Sequence, residues 1–351
     1  MTSIFIFVSG TALLVYSAER LIGSLVGAAR GLRISVFLLA IIFTGIEFDD
    51  IVLGVALNID NEQSVALGLV LGTAVSFSGI VLALGAILTP TRFNVPRDYI
   101  VIFALAPLVM VVVALRKTVT PADAVVLVLL FASFIAYVAF RELRHETPTF
   151  RNLEIVEELT EDDEDDEDDL DDPDEGPART QAVATMSLFA EEGRLSGWVN
   201  IGLAGLAICG IIVGAATVSA GTNQILDRYG IDGTVFGATI VTAVLSIEDL
   251  FLTVEPIRKG VPEIGIGNVI GSLVFSVTGK LGIVVLAGGT IAIGPNVLRW
   301  HLPVLVGMTA LAAYFLSTGR LKRWHGCVLL VVYVAYWIVS FVVYGGAPVD
   351  D

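Results

Sequence analysis

Five acidic residues lie inside segments that are otherwise apolar. They are Glu47, Asp49 and Asp50 in FTGIEFDDIVLG, and Glu248 and Asp249 in VLSIEDLFLTV. An ionised side chain at the centre of a bilayer costs at least about 2.5–3.5 kcal/mol, so these residues need a bound cation, protons or paired bases. For Glu47, Asp50 and Asp249 we favour an ion site, because the apolar segments hold few bases. For Asp49 and Glu248, contact with a neighbouring helix or with water stays open.

Two other apolar segments, ALGLVLGTAVSF and GIGNVIGSLVFSVTGK, supply hydroxyl, amide and glycine positions. Glycines permit close helix approach or local unwinding that frees backbone carbonyls. Oxygen ligands suit hard cations such as Ca²⁺ and Na⁺, and no histidine or cysteine spacing indicates zinc or copper. The predicted cation ligands are Glu47, Asp50, Thr73, Ser246, Asp249, Ser272 and Ser276, with Asp49, Glu248, Asn268 and Lys280 as possible coupling or accessory residues.

Lys280 is the basic residue that falls inside a predicted span. It follows Ser272 by eight residues and Ser276 by four, which places all three on one face of a helix. Facing carboxylates, it would act as a built-in cation or exchange a proton. A snorkelling lysine or a structural ion pair is the alternative.

The composition identifies the class of protein. Of 351 residues 55% are hydrophobic and 16% are charged, and the mean hydropathy is +0.84. Soluble domains average about 25% charged residues. Apolar runs of about 20 residues, long enough to cross a bilayer, recur along the chain and indicate a polytopic helical membrane protein rather than a soluble enzyme. Cys209 and Cys327 lie in apolar runs, which predicts buried thiols and no disulfide framework.

Hydropathy predicts an all-α fold with ten transmembrane helices. The N-terminal apolar run lacks a basic leader and is predicted to be a retained helix. The predicted spans are Ser3–Ala29, Ile34–Leu57, Ser64–Leu88, Tyr99–Leu115, Ala122–Phe140, Trp198–Ala220, Gly233–Val254, Ile264–Gly289, Val297–Leu316 and Gly326–Tyr344.

The distribution of basic residues predicts the orientation. The side reached after the odd-numbered spans carries 15 of the 20 lysines and arginines, and the opposite side carries four. Cytoplasmic loops are enriched in these residues. We therefore expect a multi-pass protein of the cell membrane with both termini outside and the central loop in the cytoplasm.

The two halves of the chain resemble each other. A shift of 199 residues superposes Asp50 on Asp249, Gly68 on Gly267 and Gly72 on Gly271. Five spans per half give the copies opposite orientations, and inverted repeats with polar, glycine-interrupted helices are typical of transporters. The predicted units are a five-helix repeat over 1–140, an acidic loop over 141–195 and a second five-helix repeat over 196–351.

The central loop accounts for the net charge of −16. Residues 154–175 contain 16 of the 36 acidic residues, so 20 remain against 20 lysines and arginines. The tract is low in complexity and lacks the spacing of an EF-hand loop. We expect a partly disordered, solvated linker, with a Ca²⁺ sensor as the alternative.

The combined motifs resemble the two repeats of the calcium/cation antiporter superfamily, which includes the sodium/calcium exchangers. Its pattern is roughly G-T-S-x-P-E in one helix and G-N-x-x-G-S-N-x-x-N/D in the next. GIEFDD (45–50) and VLSIED (244–249) lie on the first box, GNVIGS (267–272) fits the second well, and GLVLGT (68–73) fits it loosely. The lead-in SAERLIGSLVGAARGLRIS (17–35) is also similar.

The resemblance implies specific roles. Asp50 and Asp249 stand at the family's central glutamates, and Thr73 and Ser272 stand at its hydroxyl positions. Glu47 and Ser246 replace serines, Asp49 and Glu248 replace the box prolines, and Phe77 and Ser276 replace Asn or Asp. The first and sixth spans would slide against the rest of the protein. The departures leave the identity of the ions open.

The predicted function is secondary antiport, in which Ca²⁺ is exchanged for Na⁺ or H⁺ by alternating access at a midplane carboxylate site. A proton-coupled exchanger of another cation and a cation channel are the alternatives. An intramembrane aspartyl protease is disfavoured, because its G-x-G-D box is absent. The expected partners are small inorganic cations and the lipid bilayer, with no enzyme activity, no resident cofactor and no nucleic acid; the oligomeric state is open.

Overall fold

The chain is mostly helical in the computed structural model, which describes residues 2–31, 46–93, 95–144, 197–258 and 262–345. The elements of the first half are α1 (Thr2–Gly31), α2 (Phe48–Ile59), α3 (Gln63–Leu88), β1 (Thr91–Arg92), α4 (Arg97–Ala114), β2 (Thr118–Val119) and α5 (Pro121–Arg144). The elements of the second half are α6 (Gly197–Tyr229), α7 (233–258), α8 (262–288), β3 (Ile291–Ala292), α9 (Val297–Ser317), β4 (Arg320–Leu321) and α10 (Arg323–Tyr344).

The apolar helices are long enough for a membrane protein. Among the described residues, seven helices have the length and composition to cross a bilayer, and Ser3–Ser17 and Gly233–Ile247 are shorter apolar helices. The predicted helical, multi-pass membrane class is thereby confirmed, whereas the number of ten spans stays a prediction. The beginning of the predicted second span (34–45) and the acidic tract (154–175) lie outside the described residues.

The two cysteines correct one expectation. Cys209 and Cys327 are free, but both are exposed, so the prediction that they are buried is wrong. Large apolar side chains such as Leu206 and Val331 are exposed as well. In a membrane protein the lipid-facing surface is as apolar as the interior, so an apolar run does not tell the two apart.

Helices α3 and α8 form the centre of the bundle. In their apolar windows 94% and 83% of the residues are buried, against 22% in α5 and 28% in α10. These two central helices carry the hydroxyl, amide and lysine positions that the sequence singles out.

Each central helix contains a π-helical turn. The turn spans Phe77–Val81 in α3 and Ser276–Lys280 in α8. The two turns lie 199 residues apart, which is the same shift that relates the sequence motifs. A π turn inserts an extra residue into the helix and changes the direction of the side chains that follow.

Two short antiparallel strand pairs connect the halves of the chain. β1 pairs with β4, with Thr91 opposite Leu321, and β2 pairs with β3, with Thr118 opposite Ala292. β1 and β3 follow the central helices of their halves, while β2 and β4 each precede the last helix of their half. Each pair therefore joins one strand from each half, and exchanging the halves reproduces the pairing.

Helices α1 and α6 pack closely along each other in antiparallel directions. A Cβ added to Gly10, Gly214 or Gly221 would lie 2.7–2.8 Å from the backbone nitrogens of Val218, Leu14 and Phe7, respectively. The absence of side chains at these glycines permits the close approach of the two backbones.

Glycines also bring α3 against the π turn of α7 (Gly237–Val241). A Cβ added to Gly72 would lie 2.5 Å from the Ala238 Cα and 2.7 Å from its carbonyl oxygen. Because backbone atoms cannot be moved aside cheaply, this contact fixes how closely α3 and α7 approach. Thr73, the next residue, is positioned by the same contact.

Substituting Gly72 tests the contact between α3 and α7. We expect Gly72→Ala to destabilise the protein by about 1–3 kcal/mol through overpacking, despite the higher helix propensity of alanine. Gly307→Ala is the matched control, because a Cβ there meets no atom within 4 Å. Thermal unfolding in detergent measures both, and equal midpoints for the two variants would contradict the packing argument.

Candidate functional site

The beginning of α2 brings three acidic residues together. Helix α2 starts at Phe48, Glu47 occupies its N-cap position, and Asp49 and Asp50 lie in its first turn. All three are largely buried. The partial positive charge of a helix N-terminus stabilises carboxylates in this position.

Glu47 differs in conformation from the sequence expectation. The spacing of Glu47 and Asp50 predicts one helix face, but Glu47 has an extended backbone (φ −79°, ψ 91°) and precedes the helix. The two carboxylates nevertheless come together, because both reach the same partner on α8.

That partner is Lys280, the last residue of the π turn in α8. Its ammonium group donates hydrogen bonds to Glu47 Oε2 and Asp50 Oδ2. Lys280 is fully buried, and its Nζ lies 5.9 Å from the centre of the Phe275 ring. A buried ion pair with one base and two acids retains one uncompensated negative charge, whose desolvation is costly.

Thr73 on α3 completes this cluster. Its hydroxyl lies 2.9 Å from Asp50 Oδ2 and 2.8 Å from the carbonyl oxygen of Leu69. One hydroxyl proton serves both acceptors. We call Glu47, Asp50, Thr73 and Lys280 the carboxylate–lysine cluster; it joins α2, α3 and α8.

Two hydrogen bonds at the far end of α2 also hold this helix against α8. Asn58 donates to the carbonyl oxygens of Val284 and Gly289, each at 3.0 Å. Asn58 is buried. Helix α2 is thus attached to α8 at both ends, by the carboxylate–lysine cluster and by Asn58. These two attachments hold Glu47 and Asp50 next to Lys280.

Ser246 on α7 contacts a residue that the sequence argument missed. The hydroxyls of Ser76 and Ser246 lie 2.8 Å apart, and both side chains are buried. Ser76 lies one turn beyond Thr73 on α3, so an i, i+3 search for polar residues from Thr73 would have found it. Asp249 is half-buried one turn beyond Ser246 on α7, and the side chain of Glu248 lies outside the described part of the structure.

The remaining predicted ligands lie on α8. Ser276 donates to the carbonyl oxygen of Ser272 at 2.8 Å, and Asn268 donates to Thr253 Oγ1 at 3.0 Å. Thr253 was not predicted, although it lies in the segment VLSIEDLFLTV, one turn beyond Asp249 on α7. The hydrogen bond of Ser276 stays within α8, whereas that of Asn268 links α8 to α7.

Within the part of the chain that the structure describes, three buried oxygen atoms of predicted site residues have no hydrogen-bond partner. They are Glu47 Oε1, Ser272 Oγ and Asn268 Oδ1. Buried polar atoms are almost always paired, so unpaired ones call for a water or an ion. Carboxylate, hydroxyl and amide oxygens are the ligands that hard cations prefer.

The acidic side chains do not form a cage of their own. Among the described residues, no group of three or more histidine, cysteine, aspartate or glutamate side chains is arranged to hold a metal ion. The structure brings together Glu47, Asp50 and Thr73 around Lys280, and separately Ser246 with Ser76. A basic residue therefore lies where the sequence predicts a cation.

Further acids lie beyond the end of α2. Burial, reinforced by the nearby carboxylates of Asp227 and Asp60, raises the pKa of Glu62. Asp60 accepts a hydrogen bond from Ser219 at 2.6 Å. Clustered negative charge raises the local concentration of cations, so this end of the bundle attracts them.

The sequence of this chain is similar to those of a known protein family. The family described as sodium/calcium exchanger protein matches residues 2–140 and 199–342. Sodium/calcium exchanger MaX1 of Methanosarcina acetivorans is 33% identical over 137 residues, which are 39% of this chain and 39% of MaX1. The aligned part is thus well under two thirds of that relative. Putative antiporter CaxA of Alkalimonas amylolytica is 24% identical over 97% of this chain and 99% of its own.

A solved structure has the same fold. The sodium-calcium exchanger NCX_Mj, soaked with 2.5 mM Na⁺ and 0.1 mM Ca²⁺, superposes with a TM-score of 0.58 at 20% sequence identity. The superposition covers 98% of this chain and 99% of NCX_Mj. At this identity the likeness concerns the fold alone.

A double-mutant cycle tests the buried ion pairs. Lys280→Met should destabilise the protein by about 3–5 kcal/mol, because it leaves two buried carboxylates without a base. The double variant Lys280→Met/Asp50→Asn should be destabilised by much less than the sum of the two single changes. Unfolding is measured in detergent with choline as the added cation, so that Na⁺ and Ca²⁺ do not replace the ammonium.

Arg116→Met provides the control for the loss of a salt bridge. Arg116 pairs with Asp123 at 2.5 Å, but its side chain is 69% exposed, so its loss should cost at most about 1 kcal/mol. Additive effects of Lys280→Met and Asp50→Asn would show that the two residues do not interact.

Proposed function

The chain belongs to the sodium/calcium exchanger protein family, and from this premise we propose that it is a secondary antiporter that exchanges Ca²⁺ for Na⁺ or H⁺ by alternating access. The observation that carries the proposal is the pair of buried carboxylates, Glu47 and Asp50, at the beginning of α2. Carboxylates in hydrocarbon are costly and mark ion pathways in membrane proteins.

In this proposal Asp50 and Asp249 are the central ligands. Glu47, Thr73, Ser246, Ser272 and Ser276 supply further oxygens, and Asp49, Glu248, Asn268 and Lys280 are accessory. Glu47 Oε1 and Ser272 Oγ have no hydrogen-bond partner among the described residues. Both oxygens can therefore coordinate a cation, which supports this assignment.

Charge compensation couples the two ions. The carboxylates hold either one divalent cation or several monovalent cations or protons, and a site without cations carries negative charge that is too costly to move through hydrocarbon. The protein would therefore change its conformation only when loaded. This requirement converts one ion gradient into transport of the other ion.

The architecture that we propose is a pair of inverted five-helix repeats, 1–140 and 196–351, joined by the acidic loop. The π turns in α3 and α8, which lie 199 residues apart, support this architecture. The strand pairs support it as well, because exchanging the two halves of the chain converts each strand pair into the other. The close packing of α1 with α6 supports a unit that slides against the other helices.

The membrane orientation follows the distribution of basic residues. Both termini would lie outside the cell and the acidic loop in the cytoplasm. The acids that follow α2 (Asp60 and Glu62) and the nearby Asp227 of α6 then lie at the outer mouth, where their charge would attract cations.

Flux measurements test the proposal. In proteoliposomes, an outward Na⁺ or H⁺ gradient should drive ⁴⁵Ca²⁺ uptake by the wild-type protein, and Asp50→Asn and Asp249→Asn should each reduce the uptake at least tenfold. Asp227→Asn, which removes an exposed carboxylate, should keep wild-type uptake at saturating Ca²⁺. Unchanged uptake in the Asp50 and Asp249 variants would refute the ligand assignment.

The channel alternative predicts a different ion dependence. An antiporter should show no net Ca²⁺ flux when the opposite side contains only choline, whereas a channel conducts down the Ca²⁺ gradient alone. Ca²⁺ flux of the wild-type protein that persists without a counter-ion would identify a channel. Competition by Mg²⁺ and Mn²⁺ in the same vesicles would identify the preferred divalent cation.

A further inference from the structure

We propose that the Lys280 ammonium is a tethered cation that takes the place of one transported monovalent ion between Glu47 and Asp50. The inference rests on the proposed antiport function and concerns its stoichiometry. It predicts that this chain carries one monovalent cation fewer in each cycle than the same site would carry without a lysine.

The contacts place the ammonium where a cation would bind. Lys280 Nζ contacts one oxygen of Glu47 and one oxygen of Asp50, which are two of the proposed ligands. Asp50 Oδ2 also accepts the Thr73 hydroxyl at 2.9 Å, so the same oxygen belongs to the ion site and to the ion pair. A metal ion coordinated by both carboxylate oxygens would occupy the position of the ammonium.

Electrostatic repulsion prevents the ammonium and a metal ion from sharing that position. Two unit positive charges 4 Å apart repel each other by about 4 kcal/mol at an effective dielectric constant of 20, and a divalent ion doubles this energy. A cation that binds both Glu47 and Asp50 must therefore displace the ammonium.

The position of Lys280 is not that of a snorkelling lysine. It is fully buried, and eight residues of α8, about 12 Å of helix, separate it from the helix end at Gly288. A snorkelling lysine keeps its head group in water, which this position does not allow. The π turn Ser276–Lys280 instead directs the side chain toward α2.

The charge balance gives the consequence for transport. Glu47 and Asp50 together carry two negative charges, and Lys280 reduces the net charge of this group to −1. One monovalent cation fewer is then required to neutralise the site on the monovalent branch of the cycle. Glu47 Oε1 is buried and has no hydrogen-bond partner among the described residues, so the lysine compensates the charge without pairing every oxygen.

A purely structural ion pair predicts no change in ion count. Under that alternative, removing the lysine lowers stability but leaves the number of ions per cycle unchanged. Stoichiometry therefore separates the two roles, whereas a loss of activity alone does not.

The closing experiment measures the coupling ratio from the reversal potential. Proteoliposomes with fixed Na⁺ and Ca²⁺ gradients are clamped at a series of membrane potentials with K⁺ and valinomycin, and the potential of zero net ⁴⁵Ca²⁺ flux is recorded. Lys280→Gln should raise the number of Na⁺ ions per Ca²⁺ by one. Lys280→Arg, which keeps the charge, and Lys117→Gln, which removes an exposed lysine, should keep the wild-type ratio. An unchanged ratio in Lys280→Gln would overturn the proposal.

A second pair of variants guards against a Lys280→Gln protein that does not fold. Glu47→Gln removes one carboxylate and should lower the ratio by one, and adding Lys280→Gln to it restores the charge balance and should return the ratio to the wild-type value. Equal ratios for Glu47→Gln and Glu47→Gln/Lys280→Gln would overturn the role of the lysine.

The role of Lys280 can be tested even if the antiport proposal fails. If the wild-type protein shows no coupled flux, the antiport proposal fails, and equilibrium binding of ²²Na⁺ to purified protein decides the role of Lys280. Lys280→Gln should then bind one more Na⁺ ion than the wild-type protein, and an equal number would reject the tethered cation.

Discussion

Buried carboxylates in a hydrocarbon environment must be compensated, and the arrangement of this protein follows from that constraint. Glu47 and Asp50 begin α2 inside the bundle, where the helix N-terminus offers only part of a positive charge. Lys280 supplies a full charge from α8. With one base for two acids the compensation is incomplete, and an incompletely compensated site has a use for cations.

Close glycine contacts, a buried asparagine and π turns position the helices around this site. Glycines let α3 approach α7 and let α1 approach α6 at backbone distance, while Asn58 attaches the end of α2 to α8. A π turn in α8 directs Lys280, and its counterpart 199 residues earlier lies in α3 beside Thr73 and Ser76. In both central helices the π turn thus lies next to polar residues of the site.

Much of this arrangement was predictable from the sequence. Hydropathy predicted the helical membrane class, and acids in apolar segments predicted that Asp50, Glu47 and Thr73 come together.

The extended backbone at Glu47 was not predictable, because an i, i+3 spacing assumes a continuous helix. Contacts such as Ser76 with Ser246, or Asn268 with Thr253, depend on how helices cross, which one sequence does not encode locally. The exposure of Cys209 was missed because the interior and lipid faces are equally apolar.

The most direct test of the account is the position of the bound divalent ion. Long-wavelength anomalous diffraction from crystals soaked in Ca²⁺ locates calcium without reference to transport. The account predicts an anomalous peak about 2.3–2.6 Å from a carboxylate oxygen of Asp50, with the Lys280 ammonium displaced from that oxygen. Calcium found only at other acids, with Lys280 still bound to Glu47 and Asp50, would contradict it.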